Sequence, residues 1–76
     1  MKVNPPKKVL AEYQQSGAKF ALVLWLDQRD AFTDIKAKTK REFDAKFAEW
    51  KKVELPILRK SVYTIYIISE NNISVY

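Results

Sequence analysis

Three groups of side chains in this sequence have the types and spacing to do chemistry. The first is aromatic: Trp25, Tyr66 and Tyr76 fall on alternating positions of strand-like runs, together with Val23 and Thr64. On an exposed sheet, such rings stack unpaired bases or anchor a partner protein. The second is cationic, made of Lys19, Lys38, Arg41, Lys52, Arg59 and Lys60, a basic flank suited to phosphates or acidic side chains. The third is the acidic trio Asp27, Asp30 and Asp34. Two such carboxylates can hold Mg²⁺ through oxygen. Asp in a turn, at a helix cap and in a first helical turn is also what local structure asks for, so no metal ligands are assigned.

What is missing narrows the chemistry further. The 76 residues include no histidine and no cysteine, so the commonest general base, the commonest transition-metal ligand and the thiolate nucleophile are all absent. Gly17 is the single glycine, which rules out a glycine-rich phosphate cradle and with it a nucleotide cofactor of the dinucleotide or P-loop kind. The expectation is a non-enzymatic protein without cofactor. A net charge of +5, from 14 Lys and Arg against 9 Asp and Glu, favours acidic partners. Met1 to Lys8 lacks the pattern of a secretory signal, and the longest apolar run is too short to span a bilayer. A cytoplasmic setting is expected, or host cytoplasm or virion for a viral chain.

The elements that must position these groups form one domain, residues 1–76, at a size where only about 60% of the unfolded surface is buried. Asn4 and Pro5 read as the N-cap and first residue of a helix running to about Ser16. Pro6, Val9, Leu10 and Tyr13 form its apolar face, and Gly17 stands at its left-handed end. Phe20 to Leu26, reading FALVLWL, is a strand apolar on both sides, with Phe20, Leu22, Leu24 and Leu26 on one face and Ala21, Val23 and Trp25 on the other. Phe32, Ile35, Thr39, Phe43, Phe47, Trp50 and Val53, at steps of three and four, predict a second helix from about Ala31 to Val53, capped by Asp30 or Thr33. Ile57 and Leu58 are the apolar anchors of the connection that follows. Ser61 to Ser69 and Ile73 to Tyr76 are two further strands, joined by a turn at Glu70 to Asn72.

The order helix, strand, helix, strand, strand predicts a two-layer α/β (α+β) sandwich: a small mixed three-stranded sheet with two helices on one face. The other face would then be open and carry Val23 and Trp25. From the next strand it would carry either Val62, Thr64, Tyr66 and Ile68 or Tyr63, Ile65 and Ile67. The first set is preferred because Ile65 and Ile67 suit the core, and Ser74 and Tyr76 would join it. The expected role is docking on a protein or nucleoprotein complex through this face and the basic flank, as an inhibitor or accessory subunit, a viral one included. The alternative is direct binding of RNA or single-stranded DNA by stacking and phosphate contacts. No membrane partner is expected, and a homodimer is expected to form, if at all, through the sheet face or the edge strand.

Overall fold

Helix α1 spans Lys7–Ser16 and begins two residues later than Asn4 and Pro5 suggest. The cause is the proline pair. Pro6 pushes Pro5 out of helical geometry, and Pro6 itself sits at the N-cap with φ −59° and ψ 155°. The helix ends as expected at Gly17, whose φ of 69° is left-handed and open to glycine at no steric cost. These coordinates come from a computed structural model that describes residues 4–26, 29–58 and 62–76.

Strand β1, Phe20–Leu26, follows, and then comes the main departure from expectation. Asp30–Ala37 is a strand, β2, and helix α2 is confined to Lys40–Val53. A bulge explains why one long helix is expected here. β1 residues Leu22 and Val23 pair with Ile35 and Thr33, so Asp34 is the extra residue of β2. The insertion stretches the spacing between the same-face residues Phe32 and Ile35 from two to three, a helical step produced by a strand. The cap of α2 is Thr39 rather than Asp30 or Thr33. Its hydroxyl accepts from the Glu42 amide at 3.1 Å, and the Glu42 carboxylate accepts from the Lys38 amide at 3.1 Å, a variant of the capping box.

A short 3₁₀ turn, Leu55–Ile57, leads on to β3, Tyr63–Ser69, and β4, Ile73–Val75. The described residues therefore form an α+β domain with two helices and a four-stranded sheet in the order β2-β1-β3-β4, antiparallel throughout rather than mixed. The direction of β3 follows from β2. Because β2 already reverses the chain, α2 runs the same way as β1, and β3 returns against it.

The helices lie on opposite faces, which corrects the two-layer arrangement to three layers. On one face Val9 of α1 packs with Ala21, Val23 and Ile68, and Tyr13, Trp25, Tyr66 and Ile73 border them. On the other, Phe43 and Trp50 of α2 pack with Leu22, Leu24, Ile35, Ala37 and Ile65. FALVLWL is thus covered on both sides, and Ala21, Leu22 and Val23 have no exposed surface. Fully burying each large apolar side chain contributes about 1.5 to 3 kcal/mol before conformational entropy is subtracted.

Candidate functional site

The sheet has two unlike ends. At the turn pole the end of α1, the start of α2 and the β3–β4 turn come together, and hydrogen bonds close each connection. The Ser16 hydroxyl donates to the Tyr13 carbonyl at 2.6 Å and accepts from the Ala18 amide at 3.1 Å. Lys19 donates its amide to the Ala37 carbonyl at 3.1 Å, and Ser69 donates its amide to the Asn72 carbonyl at 2.8 Å. Glu42 is held below its usual carboxylate range, first by the Lys38 amide and next by the Lys46 ammonium. The Tyr13 phenol, which donates to the Lys19 carbonyl, is raised above its ordinary value by desolvation first and by the Glu70 carboxylate second.

At the open pole, the C-terminal end of β1 separates two surface grooves. Trp25 points to the α1 face and Leu26 to the α2 face. On the α1 side, Pro6, Lys7, Lys8, Trp25, Arg29 and Asp30 line a groove of about 620 Å³. Lys8 Nζ donates to the Arg29 carbonyl at 2.7 Å and ties the first turn of α1 to the approach of β2. On the α2 side, Leu26, Glu54, Ile57, Leu58, Val62 and Tyr63 line a groove of about 430 Å³. Glu54 is shared with a third groove, which also includes Asp34, Trp50 and Val53.

The apolar groove has an unusual rim. Ile57 is 74% exposed and Val62 39%, and Val53 of the adjoining groove is 52% exposed. The 3₁₀ turn fixes Ile57 in place: the amides of Ile57 and Leu58 both donate to the Glu54 carbonyl at 3.1 Å, and Leu55 and Leu58 pack against the α2-side core. Leu55 and Leu58 are therefore the anchors of this connection, and Ile57, expected to be one, faces solvent. Lys51 and Lys52 stand in the last turn of α2.

The residues expected to form one aromatic face are divided between the two faces. Trp25 and Thr64 are cross-strand partners, as are Val23 and Tyr66, so these four share the α1 face. Val23 is wholly buried there, because α1 covers it, and has no surface to offer a partner. Trp25, Thr64 and Tyr66 are half-buried. Tyr76 lies on the opposite face, its ring edge-on to Phe47 at 5.3 Å, and its amide donates to the Ile65 carbonyl at 2.9 Å. Ser74, across from Ile67, is on that α2 face too.

The basic flank is dispersed. Lys19, Lys38 and Arg41 are exposed near the turn pole, whereas Lys52 is eleven residues along α2 from Arg41, about 16 Å away at the helical rise. Arg59 and Lys60 lie outside the described residues. Of the acidic trio, Asp34 accepts from Trp50 Nε1 at 2.8 Å, Asp30 lines the Trp25 groove, and Asp27 lies outside the described residues. Among the described residues no cluster of three metal-ligating side chains occurs.

Sequence reasoning missed the cations that do meet Trp25. Lys7 and Lys8 read as a solvated helix face and Arg29 as part of a turn. The antiparallel β1–β2 pair and the packing of α1 bring them together. Comparison with known proteins finds no match of this chain to a family model, to a curated protein or to a solved structure. The functional reading rests on these residues alone.

Proposed function

We propose that this chain is a non-catalytic binding module that docks on a protein component of a larger assembly through the apolar groove of the open pole. The observation that carries this reading is the exposure of Ile57 and Val62 together around one groove, with Val53 exposed on the adjoining groove that shares Glu54. A single exposed aliphatic residue is ordinary, but a gathered set marks an interaction surface. Ile57 is presented on hydrogen-bonded backbone between the half-buried Leu55 and Leu58, so little conformational entropy is lost when a partner covers it. Lys51 and Lys52, in the last turn of the helix that leads into the 3₁₀ turn, suit a partner with an acidic rim. The absence of histidine and cysteine from the sequence supports the non-catalytic part of the reading.

A photo-crosslinking residue placed at Ile57 tests this in lysate of the native cells, with the same probe at Asn71 of the turn pole as control. The expected result is a discrete protein adduct from position 57 that survives nuclease and is absent from position 71. Equal labelling from both positions, or adducts that vanish with nuclease, would overturn it.

A further inference from the structure

We infer that the groove between the start of α1 and the Trp25 end of β1 binds single-stranded nucleic acid, one base lying on Trp25 and the flanking phosphates meeting Lys7, Lys8 and Arg29. This site lies on the opposite face of the sheet from the apolar groove and does not depend on it. Its wall combines the two parts that such recognition needs, an aromatic surface and a cluster of cations.

The charge balance of the lining is three cations to one acid, Asp30. Glu12, one helical turn beyond Lys8, accepts from the Thr33 hydroxyl at 3.2 Å and is not part of the groove lining. No side chain caps the N-terminus of α1, and its first turn holds no acidic residue, so the helix dipole adds to the positive potential at Lys7 and Lys8. The bond from Lys8 Nζ to the Arg29 carbonyl orders one wall of the groove in advance. Pro6 supplies a rigid apolar edge beside the indole. A duplex hides its base faces, so an indole set between cations discriminates for single strands.

The test uses a short fluorescently labelled oligothymidylate at low salt, read by strand anisotropy and by tryptophan emission. Trp50 is 5% exposed, so quenching by a stacked base reports Trp25. Three neutralised phosphates on a single strand give a slope of log K against log salt of about −2. Arg29→Gln is expected to weaken binding several-fold and to bring the slope to about −1.4. Trp25→Phe, which retains an aromatic ring in the α1-side core, is expected to weaken binding several-fold and leave the slope unchanged. If Trp25→Phe unfolds, the surface variant Arg29→Gln still decides the matter. Absence of salt-sensitive binding, equal affinity for a duplex or for thymidine monophosphate, or equal affinity for polyglutamate would each overturn the inference.

Discussion

The turn pole and the open pole are built from the same strands and helices, yet they spend their polar and apolar groups differently. At the turn pole, Gly17, the Thr39 and Glu42 cap, and the Ser69 and Asn72 turn satisfy the backbone locally. Little there is both exposed and apolar. At the open pole the backbone is also closed, by Leu26 with Arg29 and by Glu54 with Leu58, but the side chains point outward: Ile57 and Val62 on one face, Trp25 with its cations on the other. The difference teaches that local polar satisfaction and surface chemistry are separable in this fold. One pole closes its backbone with local polar groups, and the other exposes apolar and cationic side chains.

That comparison breaks most severely if the core under both poles fails. Leu22 is fully buried in β1 between the two ends. Leu22→Ala is expected to destabilise the fold by about 2 to 5 kcal/mol through lost transfer energy and a cavity, measured by urea unfolding. A loss below about 1 kcal/mol would mean that β1 is not covered on its α2 face.

The next effect isolates the turn pole. Thr39→Ala removes the cap of α2 and is expected to cost about 1 kcal/mol. Acid should erode the same feature. The Glu42 carboxyl is lowered in the folded chain, so its contribution is complete above its ordinary value of 4.5 and is lost as pH falls through the lower folded value. Thermal melts of wild type and Glu42→Gln between pH 7 and pH 3 should converge at the acid end. A gap that widens on acidification would contradict that assignment.

Part of this architecture is legible in the sequence, and the failures have physical causes. The apolar run of β1, the Gly17 terminus and the Asn-bearing turn are local signals, and each stands where local chemistry put it. The two-sided apolar character of FALVLWL also pointed to cover on both faces, but assigning residues 31–53 to one helix left one face bare. The bulge at Asp34 disguised β2, whereas the Thr39-x-x-Glu42 pattern just ahead of Phe43 marked the true start of α2. Trp25 could be singled out from its position alone. Its companions could not, because Lys7 and Lys8 are far from it in the chain and meet it only after α1 has packed. The alternation that groups Trp25 with Tyr66 also puts Tyr76 on their face, whereas its ring packs against Phe47 on the α2 face. The register of β4 places Val75, and not Tyr76, beside Tyr66.

The most direct test of the division between the poles is to measure Ile57→Asp and Thr39→Ala side by side, for unfolding stability and for retention of the protein captured at the open pole. Ile57 is largely exposed, so Ile57→Asp is expected to shift stability by no more than about 0.5 kcal/mol and to abolish capture. Thr39→Ala is expected to lose about 1 kcal/mol of stability and to keep capture intact. Ile57→Asp that unfolds the chain, or that binds as wild type does, would contradict the account.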